Sequence, residues 1–181
     1  MEAGITDADV TILLLTDLDA ARPYLHRCIS RLKGKTVVNL MTGSESDARS
    51  LAELVERAGG YAIDGAILSF PSQIGLPTGT VLYCGNESAW ASLEQILLRL
   101  GGRSRWLGSD HGRSSILDTA ATGAFFQTSL AAFVEAAAYA EARGVSVEVL
   151  GDLLVELWPG FSSSIQQACE SIRTRCWETH D

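Results

Sequence analysis

The chain has 181 residues, 46% of them hydrophobic and 20% charged, and its 22 acidic and 14 basic residues give a formal charge of −8 at pH 7. Such a length and apolar content predict an ordered globular fold with a sizeable core. The acidic balance, with no run of Lys or Arg, argues against nucleic acid or an anionic membrane surface as partner, because both need clustered cations.

Val10–Leu15 (VTILLL) opens the ordered pattern. A continuous apolar run of strand length predicts a strand buried on both faces. Thr16 is the expected cap of the next helix, with Asp19 three residues on and Pro23 in a first turn, continuing to Leu32. Gly34 stops it, and Thr36–Met41 is the second strand. Ser44 caps a helix to about Ala58, ended by Gly59-Gly60, and Tyr61–Ile67 is the third strand. Pro71 to Gly79 reads as an irregular loop, of which Pro71 to Pro77 is long enough to close over a site. Thr80–Cys84 is the fourth strand, Asn86 caps a helix to Leu100, and Ser104–Leu107 is a short last strand.

From there the pattern is helical. Ser109, Asp110 or Gly112 starts a long helix that Gly144 ends, and Ser146 caps another to Trp158. Pro159-Gly160 is expected to break that helix, with a final one from Phe161 to Trp177. Strands alternating with helices and then helices alone predict an α/β half followed by an all-α half, divided as residues 1–108 and 109–181.

Cys28, Cys84, Cys169 and Cys176 form no CxxC pair, and there are only three histidines, so no metal site is expected. Free thiols fit a reducing cytoplasm. The opening Met-Glu-Ala-Gly-Ile-Thr-Asp is acidic and does not read as a signal peptide, and no run has the roughly 18 apolar residues of a membrane span. Asp118 stands out because it is the only ionisable group from Ser115 to Val134. A carboxylate in an apolar helix face is costly to bury unless it is paired or used.

Several stretches resemble imine reductases, of the wider 3-hydroxyisobutyrate/6-phosphogluconate dehydrogenase superfamily. They are Leu15–Ala20, Thr36–Gly43, Asp64–Ile67, Ile74-Gly75, Val81–Gly85, and Leu107–Gly112 leading to Leu117-Asp118. The resemblance implies a truncated Rossmann-like half of about five strands, a long inter-domain helix, a helical C-terminal part and an intertwined homodimer. It places Asp118 where the family has its proton donor or iminium partner. It also places Asp17 and Thr42-Gly43 in loops that approach a nicotinamide.

The chain departs from that pattern at both ends: no G-x-G-x-x-G occurs in its 181 residues, and the last C-terminal helices of the family are not matched. Those glycines permit the tight turn and close pyrophosphate approach of a dinucleotide site. The sequence therefore suggests a naturally short protein with no cofactor. Asp118 would act by acid/base catalysis on an imine or iminium made from an amine and an aldehyde, as in a Pictet–Spengler-type cyclisation of specialised metabolism. The alternatives are a partial NADPH-dependent imine reductase and a non-catalytic partner that dimerises with a full-length reductase. His111, at the helix start, is a second catalytic candidate as a neutral base. Tyr83, Thr122, Phe125, Phe126 and Trp158 are candidates for substrate binding. Arg113, or a hydroxyl of Ser114, Ser115 or Thr122, is the alternative structural partner for Asp118.

Overall fold

A computed structural model describes residues 2–175. They fall into two compact units, Met1–Gln127 and Thr128–Asp181. The first holds a five-stranded sheet in the order β1-β2-β3-β4-β5, formed by β1 (Val10–Leu13), β2 (Thr36–Asn39), β3 (Tyr61–Ile67), β4 (Val81–Gly85) and β5 (Arg105–Trp106). The first three strands are parallel, β4 runs antiparallel to β3, and β5 runs parallel to β4.

The two faces of the sheet bury separate cores. Period-two alternation sends Val37 into one and Val38 into the other. The first core packs α2 (Leu18–Cys28) and α3 (Glu45–Arg57) on the sheet through Leu25, Leu51 and Val55. The second packs α4 (Glu87–Leu97) through Trp90 and Leu97. There Tyr83, Trp90 and Trp106 lie ring on ring, with centroids 5.3 and 4.8 Å apart.

β1 departs from expectation. It is an edge strand with Val10 36% and Ile12 43% exposed, not one buried on both faces. The apolar run forms a strand, two residues shorter than expected, but local sequence does not say whether a neighbour covers it. A short helix, α1 (Glu2–Asp7), lies beside it, held to the sheet by Lys35, whose Nζ donates to the Thr6 and Ala8 carbonyls at 2.7 Å. Between them is a groove of about 350 Å³ lined by Gly4, Ile5, Ala8 and β1 side chains.

Helix starts follow capping chemistry. Ser44 and Asp47 form a reciprocal capping box on α3, and Asn86 accepts from the Ala89 amide on α4. On α2 the cap is Asp17, which accepts from the Ala20 amide at 2.9 Å, not Thr16 as expected, and Pro23 sits inside the helix. Either residue suits the cap; Asp17 has the extended backbone that the position requires.

The long helical stretch is three consecutive elements: α5 (Arg113–Asp118), a π-helical segment (Thr119–Phe126) and α6 (Gln127–Glu141). Among the three expected starts, Gly112 is the cap, and Gly144 follows the end at φ +80°. The second unit, which includes α6 from Thr128 on, adds one further helix, α7 (Val147–Thr174), with Pro159 inside it rather than breaking it. The Ser163 and Ser164 hydroxyls donate to the Pro159 and Gly160 carbonyls at 3.1 and 3.2 Å. Val155 and Trp158 on α7 are exposed, as is every residue near them. The expected contributions of Cys176 and Trp177 lie outside the described residues. Among the described residues, no helix is long and apolar enough to cross a membrane.

Candidate functional site

The site is built around the first turn of α5. Gly112 enters it at φ +93°, and a Cβ there would stand 2.8 Å from Glu45 Cγ. Arg113 donates to the Leu107 carbonyl at 2.9 Å, and Asp110 receives Arg49 at 2.7 Å, which holds the Asp110 carboxyl below its usual range. Ser114 and Ser115 are buried.

Asp118 closes α5 and is half-buried. Among the described residues it makes no hydrogen bond or ion pair. The expected partner Arg113 is engaged by Asp110 and the Leu107 carbonyl, and Ser114 by Asp64. Nor is Asp118 sunk in a packed apolar face, because Ile116, Leu117, Phe125 and Phe126 around it are themselves exposed. Apolar composition shows what a helix face can bury, not what meets it.

The π-helical segment begins directly after Asp118 and carries Thr122, Phe125 and Phe126. Its wider turn is seen where the Gln127 amide donates back to the Thr122 carbonyl. The Phe126 ring meets Phe70 edge-on at 6.5 Å. Thus Asp118, Thr122, Phe125 and Phe126 lie on one continuous stretch, with Phe70 beside it.

The other candidates are placed elsewhere. Tyr83 is 0% exposed, and its hydroxyl donates to the Leu97 carbonyl at 3.0 Å, which is a core position. Trp158 lies in the second compact unit, with its ring 5.3 Å from Phe161. His111 shares a hydrogen bond at 3.1 Å between Nε2 and Glu56 Oε1, while its Nδ1 is buried and has no partner among the described residues. Its ring lies over Gly85, where φ is +121° and a Cβ would stand 2.7 Å from His111 Cε1. The loop from Pro71 is tied by backbone hydrogen bonds to the turn after α4. Gly75 donates to the Leu100 carbonyl at 2.8 Å, Gly102 to Leu76 at 3.0 Å and Arg103 to Gly79 at 2.9 Å.

Among the described residues the buried carboxylate is Asp64, 3% exposed in the middle of β3. Its side chain lies in a row with its register partners, Asn39 on β2 and Cys84 on β4. Asn39 Nδ2 donates to Oδ1 at 2.8 Å, and Oδ2 accepts from the Ser114 hydroxyl and, at 3.8 Å, from the Cys84 thiol. Burial pushes the Asp64 carboxyl above its ordinary value, against the Ser114 and Asn39 hydrogen bonds that pull it down. Residue-by-residue reading passed over Asp64 except as part of a resembling stretch. The available signal was an aspartate inside an otherwise apolar strand, where Asp is disfavoured. At the end of β2 is a cavity of about 10 Å³, lined by Asn39, Met41, Thr42, Gly43 and Ser115 among others. It has room for about one water.

No protein-family model matches the chain. In fold and in sequence, however, the chain resembles imine reductases and reductive aminases. It is 33% identical over 117 residues to an NADPH-dependent reductive aminase of Aspergillus oryzae, an alignment covering 65% of this chain and 40% of that enzyme. The fold superposes on a reductive aminase from Aspergillus terreus in complex with NADPH and ethyl levulinate with a TM-score of 0.88 and 29% identity, over 99% of this chain and 62% of that one. An imine reductase from Streptomyces aurantiacus gives 0.88 and 25% identity, over 96% of this chain and 61% of that one. The chain thus spans less than two thirds of the relatives that it matches.

These findings correct the expected chemistry. The relatives are NADPH-dependent reductive aminases and imine reductases, not cyclases, so the Pictet–Spengler-type, non-redox reading and its setting in natural-product biosynthesis are withdrawn. That reading rested on the missing G-x-G-x-x-G. With more than a third of each relative's length unmatched, the lack of one motif in these 181 residues does not identify a reaction.

Proposed function

We propose that the chain is part of an NADPH-dependent imine reductase or reductive aminase and supplies the substrate side of its site. The observation that carries this reading is the fold shared over nearly the whole chain with the A. terreus reductive aminase. Its residues alone do not fit the nucleotide. They offer no glycine cradle for a pyrophosphate, and the cavity beside Thr42-Gly43 is far smaller than a nicotinamide ring. The edge of β1 is where a further parallel strand would extend the sheet.

Asp118 is assigned as the proton donor and as the anion beside an iminium cation. It is half-buried, without a hydrogen bond or ion pair among the described residues, and directly before a π-helical segment, and such segments are frequent at functional sites. Thr122, Phe125 and Phe126 supply the wall next to it. His111 is left out of the acid/base role, since Nε2 is taken by Glu56 and Nδ1 is buried. Residues 1–108 would belong to the nucleotide domain and 109–181 to the active-site and dimerisation part. The long exposed apolar faces of α6 and α7 favour a homodimer.

The test joins the chain to the parts of the A. terreus reductive aminase that it does not cover and offers cyclohexanone, allylamine and NADPH. One ketone, one amine, one NADPH and one proton should give the secondary amine, NADP+ and water. The chain alone should neither quench nor enhance NADPH fluorescence. Condensation without NADPH consumption, or a folded chimera that binds NADPH yet reduces nothing, would refute the proposal.

A further inference from the structure

We propose that Asp64 is a positioning residue that couples the loop after β2 to the helix carrying Asp118. The inference rests on the reading of Asp118 just given.

Two arms meet at this carboxylate. On one side, Asn39 donates from Nδ2 to Asp64 Oδ1 at 2.8 Å, and its own Oδ1 accepts from the Met41 amide at 3.1 Å. That second bond fixes the orientation of the Asn39 amide and holds the chain where it turns into Thr42-Gly43, the wall of the small cavity. On the other side, Oδ2 accepts from Ser114, a fully buried residue in the first turn of α5. Ser114 and Asp118 are four residues apart, so they lie on one helix face. Cys84 stands 3.4 Å from Ser114 Oγ and 3.8 Å from Asp64 Oδ2, closing the cluster from β4.

The chemistry of the cluster argues for positioning rather than simple filling. An apolar side chain in the centre of β3 would pack without the desolvation that a buried carboxylate incurs. What a planar group with two polar ends does here, and an apolar side chain does not, is bridge a partner on each side at once. Asp64 thereby sets the distance between the Met41–Gly43 loop and Asp118, although it touches neither a substrate nor the reacting atoms. A displacement on the order of 1 Å between such walls can cost about 100-fold in rate.

The variants separate the arms. Ser114→Ala cuts only the helix arm and fits the buried site. Asp64→Ala cuts both. Asp64→Asn keeps both, since its amide oxygen faces Asn39 and its NH₂ donates to the Ser114 oxygen. In the chimera described above, Ser114→Ala and Asp64→Ala should each lower kcat about tenfold with little change in KM, and Asp64→Asn should restore most of it. In backbone amide spectra of the chain, Asp64→Ala should move Met41–Gly43 and the residues around Asp118, whereas Ser114→Ala should move only the latter.

If Asp64→Ala does not fold, Ser114→Ala decides. Unchanged kcat in that variant, or an Asp64→Asn variant as impaired as Asp64→Ala, overturns the proposal. If Asp118→Asn retains full turnover, the assignment of Asp118 fails and the catalytic role of Asp64 falls with it, while the amide spectra still show whether the tie exists.

Discussion

Replacing Tyr83 by Phe removes one oxygen and tests whether this residue serves the core or a substrate. The Tyr83 hydroxyl donates to the Leu97 carbonyl at 3.0 Å, at the last residue of α4. An ordinary helix would give that carbonyl the amide of Gly101, but Gly101 turns to the Leu98 carbonyl at 3.3 Å instead. Phe keeps the ring packed 5.3 Å from Trp90 and removes one of two donors from the Leu97 carbonyl, which the 3-10 turn Leu98–Leu100 still engages. Losing one such hydrogen bond costs about 0.5–1.5 kcal/mol. A loss of about 1 kcal/mol lowers Tm by roughly 2–4 °C in a chain of this size.

A second signature comes from pH. Burial pushes the Tyr83 phenol well above its ordinary value of 10.0, so the unfolded chain loses this proton first. The stabilising contribution is complete below pH 10.0 and is lost as pH rises from there towards the folded value. Wild type should therefore fall relative to Tyr83→Phe by up to about 1.4 kcal/mol per pH unit above that point. Denaturant titrations of both proteins at several alkaline pH values read this directly. An unchanged Tm together with a raised KM for the amine or ketone would refute the core assignment and return Tyr83 to the substrate site.

In the chimera, Asp118→Asn should lower kcat about 100-fold, the scale of a lost general acid, with Tm nearly unchanged; product formation under saturating NADPH measures it. Gly85→Ala places a methyl group 2.7 Å from both the Ala62 carbonyl oxygen and the His111 ring at a positive φ. It should cost about 2–4 kcal/mol in denaturant unfolding, from overpacking and backbone strain together. Ser44→Ala removes the α3 capping box and should cost about 1 kcal/mol. Asp64→Asn should be less stable relative to wild type at acid pH than at neutral pH, read in denaturant titrations across that range. The raised Asp64 group favours the folded state most below its ordinary value of 3.8, a contribution lost as pH rises above it, and the amide does not titrate.

The parts legible in the sequence were those set by neighbours along the chain. Tyr61–Ile67 is a strand with the expected ends, Ser44 and Asn86 cap the helices they were expected to cap, and Gly144 ends the long helical stretch. Caps, glycine stops and apolar runs act within a few residues, so local pattern suffices. Where two local rules competed, the result was less secure. Asp17 displaced Thr16 as a cap, and Pro159 stayed inside α7. The π-helical segment left no legible mark, because its residues suit an ordinary α-helix equally well.

The amino-acid sequence by itself determined the alternation of strands and helices, the change to helices after β5 and the resemblance to imine reductases. The tertiary structure decided which carboxylate is buried. Asp118 looked like the costly one because its sequence neighbours are apolar, yet those neighbours are exposed. Asp64 is the buried one, and its partners Asn39, Cys84 and Ser114 lie 25, 20 and 50 residues away. Burial and hydrogen bonding depend on what is adjacent in space, and strand pairing brought those residues together where sequence distance kept them apart.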